Sequence, residues 1–362
     1  MKQKIITKNL TKTYITFEKE EGLKGSIKSL FKKKTIQKDA VTNFDLEINK
    51  GEFIGLIGQN GAGKTTLIKM LTGIIQPSQG EISVFGYKPY ELKDDFKKSY
   101  SVVMGQKSQL WWDLPAIDSF LLNKELYEIK DEDYKKNLSF LVELLGVEKL
   151  LKIQVRNLSL GERMKMELIL ALLHNPSILF LDEPTIGLDV IAQKQIRQFL
   201  KEINKEKGLT IILTSHYMED IKYLCDRAVV VRNGIKIYDG SLDSILESYQ
   251  GHRIITVYFN HMLSTEFDPN NKDKGSKKYD LGEGLVSNDK DITDKNYNLK
   301  KELNLDLQWI EKQEFKWVFK IKKQEAKLAI KLIMDNYEIE DISIEDENIS
   351  ETIEKIYRAK EL

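Results

Sequence analysis

The chain has 362 residues, enough for a large core and more than one domain. Lys plus Arg and Asp plus Glu both number 56, and this zero balance excludes the basic surplus of a nucleic-acid-binding chain, so no nucleic-acid partner is expected. A lone cysteine, Cys225, excludes an internal disulfide and reads as a buried apolar residue in a reducing compartment, while no apolar run approaches the roughly 20 residues that cross a bilayer.

The opening MKQKIITKNL lacks the apolar core of a signal peptide, so a soluble cytoplasmic chain is expected. Residues 22–38, GLKGSIKSLFKKKTIQK, hold six lysines and no acid. Leu23, Ile27, Leu30 and Phe31 fall on one helical stripe, which predicts a short basic amphipathic helix inside an insertion at 17–39. Such a helix suits an anionic membrane surface, and equally a seat on its own domain or on a partner protein.

Residues 51–72 read GEFIGLIGQNGAGKTTLIKMLT. EFIGLIG predicts a buried strand and KTTLIKMLT a helix. Between them GQNGAGKTT, residues 58–66, has the spacing of a phosphate-binding P-loop. Gly58, Gly61 and Gly63, with Asn60 and Ala62 between them, let the backbone curl so that successive N–H groups face phosphate oxygens. The helix start at Lys64, Thr65 and Thr66 adds a dipole that favours an anion. Lys64 can reach the β- and γ-phosphates as a point charge, and Thr65 offers its hydroxyl to Mg²⁺.

After the strand-like SYSVVMGQ, the segment GQKSQLWWDLP (105–115) places Trp111 beside Trp112. LSLGERMKMELILALLHNP (158–176) contains S-x-x-E, a capping box at the start of an amphipathic helix. Ser159 would cap the helix and Glu162 would reach back to the cap amide. SILFLDEP (177–184) is an apolar strand that ends in two acids. Asp182 at the strand end suits Mg²⁺ through water, and Glu183 is the natural general base for a hydrolytic water. TIGLD (185–189) follows, and IILTSH (211–216) is a further apolar strand ending in His216.

This order of motifs resembles the ATP-binding subunit of ABC transporters over roughly residues 4–245, and most closely the ABC-2 exporter group near its drug- and viologen-exporter branch. The resemblance implies an α/β P-loop NTPase core with an antiparallel β subdomain and an α-helical subdomain. It implies that Ser159, Leu160, Gly161 and Glu162 form the signature that meets nucleotide on the opposite subunit of a dimer. Asp189 would cross that interface, His216 would be the switch histidine, and Gln106 would approach Mg²⁺ and the attacking water. Tyr14 would stack on adenine, with Phe17 as its rival. The signature departs from the usual L-S-G-G-Q at Leu160 and Glu162. An acid facing the γ-phosphate would be repelled, so Glu162 is expected to turn toward its own helix start. The segment beyond Gln106 would form the cleft for a permease helix. Adjacent side chains tend to point apart, so one of Trp111 and Trp112 can pack inward while the other lines that cleft as a permease contact, the alternative being that both are core of the helical subdomain.

Past GIKIYDGSLDSILESY (234–249) the composition shifts, which divides the chain into an ATPase domain at 1–248 and an accessory α+β domain at 249–362. HRIITVYFN predicts a strand, 264–300 a long polar connection, FKWVFKIK a strand, KQEAKLAIKLIMDNY a helix, IEDISIED a strand and NISETIEKIYR a helical end. Trp309 and Trp317 read as core. The whole implies an ATPase, with ATP and Mg²⁺ as cofactors, that acts as a homodimer or heterodimer. It would drive two separate permease subunits at the inner face of the membrane and export a drug-like, lipid or peptide substrate. The alternative is a nucleotide-dependent regulatory subunit with little hydrolysis.

Overall fold

A computed structural model describes residues 4–18, 34–105, 107–215, 217–242, 244, 252–260, 307–313 and 315–346. The chain divides into two units, Met1–Leu242 and Asp243–Leu362.

In the first unit, β1 (Lys4–Glu18) lies between β2 (Lys34–Asn49) and β4 (Gln79–Val84) in an antiparallel sheet. A second sheet is formed by β3 (Phe53–Ile57), β5 (Tyr100–Met104), β6 (Ile178–Asp182), β7 (Thr210–Thr214), β8 (Arg227–Arg232) and β9 (Ile235–Ser241). Its order is β5-β6-β7-β3-β8-β9, parallel except for the β8–β9 pair. β3 and β7 are buried at every position, as parallel strands covered on both faces must be. Ligand sites in such sheets form beyond the carboxyl ends of the strands. The register aligns Leu56, Thr214, Asp182 and Met104 in one row at that end.

Helix α1 (Lys64–Leu71) buries Leu67, Ile68, Met70 and Leu71 in a core shared by both sheets, with Phe44, Ile48, Ile54, Leu56 and Phe180. Each such side chain contributes about 1.5–3 kcal/mol through removal from water. After α2 (Asp94–Ser99) a helical layer follows, in which α5 (Leu160–Leu172) packs against α3 (Ala116–Leu126) and α4 (Asp131–Leu145). α6 (Val190–Lys207) and α7 (Met218–Leu224) complete the unit. Among the described residues no helix is long and apolar enough to cross a membrane.

The basic helix expected over 22–38 does not extend to its end. Residues 34–38 belong to β2 and pair with β1 from Tyr14↔Lys38 to Glu18↔Lys34. Thr35 and Ile36 are β-branched and continue the antiparallel ladder, which sets residues 34–38 as strand. Residues 19–33, with the rest of that expectation, lie outside the described residues.

In the second unit, β10 (His252–Phe259), β11 (Gln308–Lys312), β12 (Lys316–Lys322) and β13 (Ile339–Asp346) form an antiparallel sheet in the order β11-β12-β10-β13. Trp317, Phe319 and Ile321 alternate onto one face, and Ala326, Ala329 and Ile333 of α8 (Lys323–Asn336) cover it. Trp317 is core and Trp309 packs at its margin. Strand β11 is an element that sequence reading passed over. The polar connection at 264–300 and the helical end at 348–358 fall outside the described residues.

Candidate functional site

The chain leaves β3 at Ile57 and turns through residues 58–63 into α1. Gly63 has φ +107°, and a Cβ there would lie 2.3 Å from the Ala40 carbonyl oxygen, so only glycine serves. Lys64 is buried, and its Nζ donates to the carbonyls of Gly58 (2.5 Å) and Gln59 (3.1 Å). Burial lowers its pKa, against the raising effect of Glu183 and Asp182 nearby.

Thr65 Oγ1 donates to Asp182 Oδ2 at 3.1 Å, and Thr214 Oγ1 donates to Asp182 Oδ1 at 2.6 Å. One carboxylate thereby joins the ends of β6 and β7 to the first turn of α1. A hydroxyl and a carboxylate on the rim of a phosphate loop fit Mg²⁺, which keeps waters and substrate phosphates as most of its ligands. No cluster of three or more His, Cys, Asp or Glu suited to a metal occurs among the described residues.

Glu183 follows in the left-handed region at φ +56°, a conformation that costs a non-glycine residue energy. Its N–H is held by the Thr214 carbonyl (3.0 Å) and Thr214 Oγ1 (3.2 Å). On its other side lies Gly105, where a Cβ would meet the Glu183 carbonyl oxygen at 2.2 Å. The Gly105 N–H donates to the Asp182 carbonyl at 2.9 Å.

Ser159 and Glu162 form the capping box that the spacing S-x-x-E predicts. Glu162 N–H donates to Ser159 Oγ (3.3 Å) and Ser159 N–H to Glu162 Oε2 (2.8 Å). The carboxylate is turned to its own helix start. Leu160 is exposed and Gly161 buried. Asp189 caps α6 through Oδ1, which accepts from Ala192 N–H at 2.9 Å, and Val190 and Ile191 beyond it are exposed. Tyr14 sits exposed on β1 with the Lys12 ammonium 5.5 Å from its ring centre. Gln106, His216 and the side chain of Phe17 lie outside the described residues.

The tryptophan pair differs from expectation. Trp111 is 52% and Trp112 48% exposed, so neither ring packs inward. The segment is a turn, not a strand, and its inward position is taken by buried Leu110. The backbone is fixed while the rings face out: Trp111 N–H donates to Ser119 Oγ at 3.1 Å, and the Trp112 carbonyl accepts from Arg156 N–H at 3.0 Å.

Two acids that sequence reading missed hold the loops of the site. Asp220 on α7 is fully buried and accepts from Thr185 Oγ1, Ser215 Oγ (2.8 Å) and Arg197 Nε (2.5 Å). Glu167 on α5 is buried and accepts at Oε1 from Ser108 Oγ (2.6 Å), Gln109 N–H (2.8 Å) and Leu110 N–H (3.3 Å). The available signal was one acid on the apolar face of each helix, since a buried carboxylate requires donors.

A family model described as "ABC transporter" matches residues 41–186. The chain is similar to the "ABC transporter ATP-binding protein NatA" of Bacillus subtilis (strain 168), 32% identical over 232 residues that span 64% of this chain and 93% of that protein. It is also similar to the "Linearmycin resistance ATP-binding protein LnrL" of the same organism, 33% identical over 64% of this chain and 73% of that one. Among solved structures it resembles a dimeric ATP-binding cassette in a post-hydrolysis state bound to ADP and Pi. That match has a TM-score of 0.54 and 25% identity, over 66% of this chain and 98% of the other.

Proposed function

Since the chain belongs to the ATP-binding subunits of ABC transporters and is an ATPase, we propose that two such subunits close around two Mg-ATP and thereby drive separate membrane permeases. The observation that carries this reading is the set Thr65–Asp182–Thr214 with Lys64 and Glu183 beside it at the carboxyl ends of the central strands. Residues 58–66 bind the phosphates of ATP, and Tyr14 stacks on the base. Thr65, Asp182 and Gln106 would hold Mg²⁺, which when bound offsets charge on the β- and γ-phosphates. Glu183 takes a proton from the water that attacks the γ-phosphate, giving ADP and inorganic phosphate, and His216 orients that water.

The exposed start of α5 presents Ser159 to nucleotide bound on the opposite subunit. The capping box supports this, because Glu162 bonded to the Ser159 amide points its charge away from an incoming phosphate. Asp189, Val190 and Ile191 form part of the dimer contact. ATP then joins two surfaces that are satisfied only when closed, and hydrolysis releases them, a two-state switch biased by ligand. Trp111 and Trp112 are two exposed aromatics on a fixed backbone, the form of an interface anchor, and we assign them to the permease contact. The subunit would sit on the inner face of the membrane through that contact. LnrL is named for linearmycin resistance, which favours an exporter of a drug-like, lipid or peptide substrate. The division into an ATPase domain at 1–248 and an accessory domain at 249–362 belongs to the same proposal.

The test is Glu183→Gln. ATP binding is retained, turnover falls about a thousandfold, and the variant accumulates as an ATP-dependent dimer on light scattering. Wild-type turnover in that variant would remove Glu183 as the base.

A further inference from the structure

The residue before Gln106 is anchored to the sheet, and those after it are anchored both to the sheet, where Lys107 N–H and Gln109 Nε2 donate to the Met104 (3.0 Å) and Val102 (2.6 Å) carbonyls of β5, and to α5. On one side, the Gly105 N–H donates to the Asp182 carbonyl at the end of β6. On the other, the Glu167 carboxylate gathers Ser108 Oγ, Gln109 N–H and Leu110 N–H onto one oxygen. Glu167 comes from the middle of α5, the helix whose N-cap is Ser159. It is 4% exposed, and its second oxygen, Oε2, is buried without a hydrogen-bond partner. Burial raises its pKa, and the three donors pull the other way.

Glu167 does not act alone on this stripe. Ser159, Arg163 and Glu167 are spaced by four residues and so share one face of α5. The Arg163 guanidinium lies 4.3 Å from the centre of the Trp112 ring, a stacking contact that ties the exposed tryptophan to the same helix. One face of one helix therefore carries the cap that meets nucleotide, the cation under Trp112, and the carboxylate that holds the loop between Gln106 and the tryptophans.

We propose that Glu167 is a positioning residue that fixes the backbone of residues 108–110 to α5 and thereby sets the place of the segment leading from Gln106 to Trp112. This rests on the proposed roles of Ser159, Gln106 and the tryptophan pair.

The experiment compares Glu167→Ala with Glu167→Gln in the full chain. Amide hydrogen exchange is read at residues 108–112, with steady-state ATP hydrolysis and equilibrium MgATP binding. In Glu167→Ala the Gln109 amide loses its acceptor and its exchange rises by about tenfold or more, while the Leu110 amide keeps Ser108 Oγ at 3.2 Å and rises less. kcat falls by about tenfold while the Kd for MgATP changes by less than about twofold, since the loop and not the P-loop has been released. Glu167→Gln retains an oxygen acceptor and restores both readouts. Unchanged exchange at 108–112 in Glu167→Ala overturns the proposal, as does a Glu167→Gln enzyme that loses kcat to the same extent. If Glu167→Ala does not fold, Ser108→Ala removes one exposed donor. It raises exchange at 109–110 by about twofold to fivefold, and no rise there is equally fatal. Failure of the permease reading is separable: a Trp112→Ala variant with undiminished export removes that contact and leaves the exchange results as they stand.

Discussion

Replacing Asp220 by alanine strikes the group that joins the loop after Glu183 to the loop before His216. Its carboxylate has no solvent exposure and serves Thr185, Ser215 and Arg197 at once, while the Arg197 side chain is only 14% exposed. In Asp220→Ala the guanidinium keeps Gln193 Oε1 at 3.2 Å and the exposed Glu219 at 3.5 Å, so it stays in place without its main counter-charge. Breaking a buried pair in this way costs about 3–5 kcal/mol. The two hydroxyls that lose an acceptor add about 1 kcal/mol or less each, because both can rotate. A net loss of about 4 kcal/mol in a unit of this size lowers Tm by about 8–16 °C. Urea unfolding followed by fluorescence or circular dichroism measures it. The paired control is Asp220→Leu with Arg197→Met, which removes both charges together and regains most of the loss if burial of an unpaired cation is the cause. A single variant that loses less than about 1 kcal/mol, or a double variant no better than the single, refutes the reasoning.

Gly105→Ala sets a methyl group against the Glu183 carbonyl, so kcat is expected to fall about a hundredfold with ATP binding retained; a coupled ATPase assay with undiminished kcat would show that the contact relaxes harmlessly. His174 is held by burial at a pKa of about 4, against an ordinary 6.5. The unfolded chain binds the proton first, so this contribution is complete above about pH 6.5 and is lost as pH falls toward 4, about 2 kcal/mol of it by pH 5. Urea midpoints of the wild type and His174→Asn across that range should diverge, and parallel curves would discard the assignment. Trp111→Ala and Trp112→Ala should each reduce export severalfold more than they reduce ATP turnover, as vesicle transport assays can read; equal losses in both would make the pair structural.

The parts of the site proposed to touch phosphate are the parts most legible in the chain. The P-loop, the acidic strand end and the S-x-x-E box each confine their chemistry to a few consecutive residues, so spacing alone carries them. The supports are harder to see. Asp220 stands next to Glu219, an acid of the same kind that faces solvent, and only the helical face separates them. Glu167 interrupts the apolar run MELILALL, yet its donors lie at residues 108–110, far away in sequence. The predicted basic helix is carried too far at its end, since residues 34–38 belong to a strand that β-branched residues and a pairing partner define. The tryptophans misled because alternation holds for strands and they occupy a turn.

What the supports have in common is that each gathers donors from a loop beside the site, and this bears on how the site stays poised. Glu183 holds an uncommon left-handed backbone conformation, which persists only where its neighbours over-determine it. They do so from three directions: Thr214 on its N–H, Gly105 beneath its carbonyl, and Asp220 on Thr185 two residues on. Gly105 in turn begins the segment that Glu167 closes. The loop that leaves the sheet beside Glu183 is thus held again at α5. The poise of the site then depends on two buried carboxylates, and loss of either Glu167 or Asp220 is expected to lower ATP turnover with residues 58–66 unchanged.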